Sequence, residues 1–160
     1  MSGFEIERKW LVDEPPAEAL AVPGDEIAQG YLAITEDGTE VRLRHRGDRC
    51  FLTVKSAGGL VRGEREVEIT SQQLEALWPA TDGRRLEKVR RVLDGGDGAR
   101  IELDVYAGAL SGLIVAEVEF ADADAGARFE APAWFGREVT GDPAYKNQRL
   151  AVDGLGSIGK

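Results

Sequence analysis

Apolar and polar residues alternate with a period of two along most of the chain, and glycine-containing turns separate the alternating segments. This period is typical of β-strands, because successive side chains of a strand point to opposite faces of the sheet. The pattern predicts eight strands, which are Phe4–Val12, Ile27–Ile34, Glu40–Arg46, Cys50–Lys55, Glu64–Ile69, Glu87–Leu93, Arg100–Tyr106 and Ile114–Phe120. The chain is therefore expected to fold mainly as a sheet.

Short helices are predicted near Pro15, from Ser71 to about Trp78, after Asp122 and over Pro143–Ala151. Ser71 is expected to be the N-cap of the second helix, because a side-chain hydroxyl can accept a hydrogen bond from a free backbone N–H. Proline fits the first position of the last helix, where the missing N–H costs no hydrogen bond. No linker-like segment divides residues 1–160, so the sequence predicts one domain.

One face of the predicted strands carries charges that repeat a single sign within a strand. The charged positions are Glu5, Glu7 and Lys9, Arg42 and Arg44, Lys55, Glu66 and Glu68, Lys88 and Arg90, Glu102 and Asp104, and Glu117 and Glu119. For any one strand, this alternation only indicates a sheet with one face in water. Taken together the pairs are unusual, because a water-exposed face mixes signs and neighbouring like charges repel. Facing inward around a closed or nearly closed sheet, they would form a lumen with acidic and basic sectors.

Such a lumen suits a polyphosphate that carries a metal ion. Carboxylates bind hard divalent cations such as Mg²⁺ and Mn²⁺, whereas Arg and Lys bind phosphate oxygens. The apolar faces of the strands would then point outward, under the two longer predicted helices and the segment 121–142.

Composition and charge exclude several classes of protein. The net charge of the 160 residues is −9, which argues against a nucleic-acid binder because phosphate contacts need a basic surface. No apolar run approaches the roughly 18 residues of a membrane span, and no signal-peptide core follows Met1, so a cytoplasmic protein is expected. A single histidine, His45, and a single cysteine, Cys50, are too few for the usual zinc sites or for Cys–His catalysis.

The opening segment FEIERKWLV resembles the E-x-E-x-K signature of the CYTH superfamily, also called triphosphate tunnel metalloenzymes, with Glu5, Glu7 and Lys9 at the signature positions. The other charged pairs follow in the family's order, and YKNQRLA near the end is similar to the family's closing helix. The likeness spans about residues 4–151. An E-x-E-x-K string alone is a weak signal, but the ordered set is specific.

The resemblance implies an α+β fold, in which an eight-stranded antiparallel β-barrel forms a tunnel with a charged lumen and a few helices pack outside. Within the family, the chain looks most like the short bacterial branch of inorganic triphosphatases, which implies metal-dependent hydrolysis of tripolyphosphate to pyrophosphate and phosphate. The alternatives are a class IV-type adenylate cyclase, a thiamine or nucleoside triphosphatase, and a non-catalytic polyphosphate-binding module. The sequence leaves open whether the protein forms a homodimer.

The resemblance also implies roles for the charged residues. Mg²⁺ or Mn²⁺ would be held by Glu5, Glu7, Glu117 and Glu119, with Glu66 and Glu68 as ligands of a second ion. The substrate phosphates would be bound by Lys9, Arg42, Arg44, Lys88 and Arg90. Some of the acids could instead only pair with bases of the lumen, and Glu102 and Asp104 could either orient those bases or join the metal ligands.

The attacking water must lose a proton, and no histidine lies on the charged face. Lys55 is therefore the candidate general base, because crowding by like charges favours a neutral amine. Tyr31 could hold the lysine or the water in place. The alternative is that Lys55 only binds phosphate and that a metal-bound hydroxide attacks. Lys146 could reach the mouth of the tunnel or simply be a solvated helix residue.

Overall fold

The computed structural model describes residues 6–56 and 63–158 of the chain. Its main element is one antiparallel sheet of eight strands. The strands are β1 (Ile6–Leu11), β2 (Asp25–Ile34), β3 (Glu40–Arg46), β4 (Arg49–Lys55), β5 (Glu64–Ile69), β6 (Arg85–Asp94), β7 (Arg100–Ala107) and β8 (Ile114–Phe120). The eight predicted strands are confirmed, while Phe4 and Glu5 lie outside the described residues.

β2 and β6 are longer than the alternation predicts, because the additional residues of each strand pair with residues of the other. Asp25 lies opposite Arg90, and Arg85 lies opposite Gly30. The Asp25 carboxylate also accepts a hydrogen bond of 2.8 Å from Nε of Arg46 on β3. The backbone pairing of β2 with β6 thus extends beyond the residues whose alternation predicted the two strands.

The order of the strands in the sheet is β1-β8-β7-β6-β2-β3-β4-β5, so β1 and β5 are its edge strands. Within the described residues these two edges do not pair with each other, and hydrogen-bonded closure of the expected barrel is not observed. The outer edge of β1 is instead bonded to the segment 136–140. Leu11 N donates to Arg137 O at 2.9 Å, and Val139 N donates to Lys9 O at 2.8 Å.

An aromatic cluster covers the outer face of the sheet around Trp10. The ring centroid of Trp10 lies 5.6 Å from that of Phe129 and 5.0 Å from that of Phe135. Trp134 meets Phe135 at 4.7 Å. The irregular segment after β8 is therefore packed on the apolar face of the sheet, as predicted for residues 121–142.

The α-helices are short and lie at the predicted places. They are α1 (Ala17–Leu20), α2 (Ser71–Leu77), α3 (Ala123–Arg128) and α4 (Asn147–Asp153). α1 contacts β6, α2 contacts β4, and α3 contacts β1 and β8. Among the described residues, no helix has the length and apolar character needed to cross a membrane.

The predicted helix over Pro143–Ala151 is interrupted. Pro143–Tyr145 forms a 3₁₀ turn, and α4 begins only at Asn147. Lys146 between them is extended, with φ −68° and ψ 138°. This break turns the chain from the rim of the sheet into its interior.

α4 packs on the inner face of the sheet, which corrects the expectation that the helices pack outside. At one end of the sheet the inner positions are large and uncharged, and they include Tyr31, Leu86 and Tyr106. Leu150 of α4 and the preceding Tyr145 belong to the same buried cluster. The helix therefore fills one end of the concave face because apolar surface there requires burial.

The N-cap of α2 is Thr70, not Ser71 as the sequence suggested. Thr70 Oγ1 accepts a hydrogen bond of 3.0 Å from Gln73 N, and Gln73 Oε1 accepts one of 2.9 Å from Thr70 N. This reciprocal capping box satisfies two backbone groups at once. Ser71 is already the first residue of the helix and is exposed.

Substitution of Thr70 and, separately, of Ser71 tests which of these two hydroxyl groups caps α2. We expect Thr70→Ala to lower the free energy of unfolding by about 1 kcal/mol, the usual value of an N-cap. Ser71→Ala should leave it nearly unchanged. Urea denaturation of both variants measures the difference, and an equal loss in the two would contradict the assignment of Thr70.

Candidate active site

A cavity of about 480 Å³ opens on the concave face of the sheet. Its lining is formed by Glu7, Lys9, Tyr31, Glu40, Arg42, Arg44, Arg46, Lys55, Glu64, Glu66, Arg90, Arg100, Glu102, Glu117, Glu119, Lys146, Asn147 and Gln148. Because β1 and β5 both contribute to this lining, the sheet curves until its two edges flank one space. Most of the charged residues that the period-two pattern singled out meet here.

The acidic wall of the cavity comes from three neighbouring strands, β1, β8 and β7. Backbone register places Glu7 opposite Glu119 and Glu102 opposite Glu117. The carboxyl group of Glu7 lies within hydrogen-bonding reach of Glu117. Burial raises the pKa of Glu117, but this contact and the positive charges of Lys9 and Arg90 outweigh burial and lower the pKa to about 2.

The basic wall is built from β3 and β6, and Arg42 is its most loosely held member. The guanidinium of Arg42 lies 3.4 Å from Glu40 and 3.9 Å from Glu64, which are long distances for an ion pair. Its Nε is buried and has no partner among the described residues. A buried donor without an acceptor is costly, so this side chain is suited to bind an anion.

Arg44 lies beside Arg42 on the same face of β3. Burial, followed by the charges of Arg42 and Arg90, lowers the pKa of Arg44 to about 10. A guanidinium loses its proton reluctantly even so. The depressed pKa therefore reflects burial first and the neighbouring positive charges second, and an anionic ligand would offset those charges.

Arg90 is held in the basic wall by the carboxylate of Asp104, which is buried beneath the cavity lining together with Lys88. Asp104 accepts hydrogen bonds of 2.8 Å from both Nε and Nη2 of Arg90, and one of 2.7 Å from the Lys88 amine. Burial raises the pKa of Asp104, but its two cationic partners hold the pKa below the ordinary range. Burial lowers the pKa of Lys88 to about 7, although the Asp104 charge opposes the shift.

Lys88 therefore does not line the cavity, although the sequence predicted it to bind phosphate. Its side chain is fully buried, with the amine 5.5 Å from the centre of the Tyr106 ring. Asp104 likewise lies below the lining and orients Arg90. Lys9 does reach the cavity, where its amine donates to the Tyr145 carbonyl at 3.1 Å.

Glu66 and Glu68, the predicted ligands of a second metal ion, do not lie together in the cavity. Glu66 lines the cavity and accepts a hydrogen bond of 2.8 Å from Thr53 Oγ1. Glu68 lies on the same face of β5 but outside the lining, where it forms an exposed ion pair of 2.7 Å with Arg49. Glu5 of the first predicted metal site lies outside the described residues.

Lys55 and Tyr31 both line the cavity, but the surroundings of Lys55 differ from those expected. Glu64 lies 3.8 Å from its amine, and Glu40 is its backbone partner across β3 and β4. The predicted crowd of cations is thus interleaved with carboxylates. His45 is exposed and Cys50 is buried, and neither lines the cavity.

Several polar residues in or beside the site were not predicted from the sequence. Glu40 and Glu64 share the parity of Arg42 and of Glu66, so period-two alternation could have found them. Gln148 donates to the buried Glu40 carboxylate at 2.9 Å, and no local signal predicts this contact across the chain. Gln29 escaped notice because it is uncharged.

The chemistry of the acidic wall fits a hard divalent cation. Oxygen ligands from carboxylates are the ones that Mg²⁺ and Mn²⁺ prefer. The closeness of Glu7 and Glu117 fits as well, because a cation bound between two carboxylates offsets their mutual repulsion. Within the described ranges, which omit Glu5, no group of three or more Asp, Glu, His or Cys side chains is placed so that it could hold a metal ion.

Comparison with known proteins finds relatives that match nearly the whole chain. A protein of Nitrosomonas europaea named inorganic triphosphatase is 52% identical over 149 residues, which cover 92% of this chain and 97% of the relative. The chain belongs to the CYTH family of inorganic triphosphatases. A second inorganic triphosphatase, from Acetivibrio thermocellus, is 38% identical over 92% of this chain and 93% of its own. No family model matches the sequence.

Solved structures agree with this membership of the inorganic triphosphatases. A crystal structure described as an inorganic triphosphatase has a TM-score of 0.75 and 47% identity, over 92% of this chain and 94% of that chain. A putative adenylate cyclase from Bacillus halodurans has a TM-score of 0.58 at 17% identity, over 80% and 86% of the two chains. The second likeness shows a shared fold alone.

The buried Asp104 should be far more important for stability than an exposed carboxylate in a similar ion pair. Asp104→Asn leaves Lys88 and Arg90 buried without their shared counter-ion, and we expect a loss of about 3 kcal/mol in the free energy of unfolding. Glu68→Gln removes the partner of Arg49 at the surface and should cost at most about 1 kcal/mol. Equal losses in urea denaturation would show that Asp104 does not support the site.

Proposed function

We propose that the protein hydrolyses inorganic tripolyphosphate to pyrophosphate and phosphate. The observation that carries the proposal is the division of one cavity into an acidic wall, with Glu7, Glu117 and Glu119, and a basic wall, with Arg42 and Arg44. A triphosphate with a bound cation presents the complementary pattern of charge. The names of the two relatives support the same substrate.

The curved sheet is proposed to act as a tunnel around the substrate. Its edges, β1 and β5, flank the cavity, and α4 fills one end. Enclosure matters because removal of water strengthens each contact between arginine and phosphate. The segment 136–140 along β1 would let the wall continue without direct pairing of the two edges.

Mg²⁺ or Mn²⁺ is the proposed cofactor, with Glu7, Glu117 and Glu119 as its protein ligands together with Glu5. When bound, the cation would neutralise negative charge on the substrate. The chain itself supplies the basic clamp. Arg42 offers a guanidinium whose Nε has no partner within the part of the chain that the structure describes, and Arg90 is fixed in direction by Asp104. Positioning and charge neutralisation are the main contributions that phosphoryl transfer requires of a protein.

Inorganic triphosphate suits the cavity better than a nucleotide does. Apart from Tyr31, every lining residue has a charged or amide side chain. A nucleobase or a thiazolium ring is usually bound by apolar or stacking side chains, and the lining described here offers little of either.

A panel of phosphate-release assays tests the proposed function. With Mg²⁺ or Mn²⁺, tripolyphosphate should have a higher kcat/KM than ATP or thiamine triphosphate, and ATP should give no cyclic AMP. EDTA should abolish turnover, and Ca²⁺ should not restore it, because its looser oxygen shell would misplace the phosphates. Faster turnover of ATP would refute the substrate, and full activity of metal-free protein in EDTA would refute the cofactor.

Lys55 is proposed as the group that accepts the proton of the attacking water. Lys55→Arg keeps the positive charge but cannot act as a base, so kcat should fall about 100-fold or more with KM little changed. Activity of the unmodified protein should rise toward alkaline pH, where a lysine becomes neutral. Steady-state kinetics against pH provide the measurement. If Lys55→Arg retains most of its kcat, Lys55 only binds phosphate.

A further inference from the structure

Two arginines of the cavity lining, Arg46 and Arg100, have no part in the proposed reaction. Arg46 is the last residue of β3, and Arg100 is the first residue of β7. Their side chains keep 29% and 50% of their surface exposed, whereas those of Arg42 and Arg90 keep only 8%. Arg46 and Arg100 are therefore in contact with both the cavity and the solvent.

Both arginines lie at the end of the cavity opposite α4. The other end of β3 contacts this helix, because Gln148 Nε2 donates a hydrogen bond of 2.9 Å to the Glu40 carboxylate. The other end of β7 does so as well, because the Tyr106 hydroxyl donates one of 2.6 Å to Asn147 Oδ1. Since a strand rises about 3.3 Å per residue, the two arginines lie about 20 Å along their strands from the residues that contact α4.

The guanidinium groups of Arg46 and Arg100 have unused hydrogen-bond donors. Nε of Arg46 donates to Asp25 at 2.8 Å, and its two terminal nitrogens have no acceptor within residues 6–56 and 63–158. Arg100 is held more loosely, because its contact is one terminal nitrogen at 3.3 Å from Glu102. The planar fork of an arginine matches the geometry of a phosphate group. Both side chains can therefore bind a phosphate and keep the contacts that they have.

Glu102 connects Arg100 to the basic wall. Its Oε2 lies 3.3 Å from Nη1 of Arg90 and 3.3 Å from Nη2 of Arg100. On the other side, the backbone of Arg90 lies opposite that of Asp25, whose carboxylate binds Arg46. The positive charge of the basic wall thus continues from Arg90 to the exposed end of the cavity on both β3 and β7.

The overall charge of the protein makes positive charge at this end important. The chain has a net charge of −9, and the described lining contains eight basic and seven acidic side chains. Neither the whole protein nor the whole cavity therefore attracts a polyanion strongly. Attraction must come from positive charge concentrated where the substrate arrives, because a cleft focuses the field of the charges at its opening.

We propose that Arg46 and Arg100 form an entry site, which binds a terminal phosphate of the substrate at the end of the cavity opposite α4. The contact is made equally in the bound substrate and in the transition state, so it lowers KM and leaves kcat unchanged. This inference rests on the proposed triphosphatase function. It adds a binding site to the arginines that are proposed to act on the reacting phosphates.

Arg46→Gln and Arg100→Gln test the entry site, and Arg65→Gln is the matched control. Arg65 is exposed on the opposite face of β5 from the cavity, so its substitution changes the net charge equally without touching the lining. With tripolyphosphate and saturating Mg²⁺, each of the first two substitutions should raise KM about 3- to 10-fold, as expected for a partly exposed contact with a charged group. The value of kcat should change less than about 2-fold. Arg65→Gln should change neither constant.

Two further measurements distinguish an entry site from a support of the acidic wall. An increase in ionic strength from about 0.05 to about 0.5 M should raise KM of the unmodified protein more than KM of the two variants, because salt screens exposed charges. The Mg²⁺ concentration that gives half-maximal activity should stay the same. Arg100 lies opposite Glu119 in the register of β7 and β8. A changed Mg²⁺ requirement of Arg100→Gln with an unchanged KM would therefore assign Arg100 to the acidic wall and overturn the entry site.

Calorimetric titration with tripolyphosphate measures binding directly, and thermal unfolding shows which variants are folded. An unchanged KM in both variants, or an equal rise in Arg65→Gln, would overturn the entry site while leaving the triphosphatase function intact. If one of the two glutamine variants does not fold, the KM of the other decides the result. Unmodified protein that neither binds nor hydrolyses tripolyphosphate would overturn both proposals.

Discussion

The cavity depends on the carboxylate of Asp104, which holds two buried cations in place. Lys88 and Arg90 would repel each other across the inner face of β6, and the surrounding protein offers little water to screen them. Asp104 bonds to both at 2.7–2.8 Å. Because Arg90 is bound through two nitrogens, its direction is set as well as its charge. The basic wall can therefore exist before any phosphate is present.

The curvature of the sheet places an acidic wall in the same cavity as this basic wall. β1, β8 and β7 carry the carboxylates, while β3 and β6 carry the arginines, and curvature brings the two groups to one cavity. The inner face is not charged along its whole length. Where it becomes apolar, around Leu86 and Tyr106, α4 covers it with Leu150. The same face thus contains a packed core at one end and a polar cavity in the middle.

Alternation along the strands was sufficient to predict the faces of the sheet, because the direction of a side chain in a strand is a local property. It did not predict how deep along the strand each residue lies. Lys88 and Glu68 are both on the predicted inner face, yet Lys88 is buried below the cavity and Glu68 is exposed beyond it. The contacts of β1 with the segment 136–140 and of Gln148 with Glu40 join distant parts of the chain, and no local pattern encodes them.

The position of β1 has a consequence for the order in which the chain can fold. Both neighbours of this first strand, β8 and the segment 136–140, come from the last third of the sequence. A ribosome that adds about 5–20 residues per second would release β1 several seconds before either partner exists. The first strand must therefore wait, with Trp10 unburied, until the residues up to about 140 have been added. Pairings of such long sequence separation form slowly, so the acidic wall is assembled last.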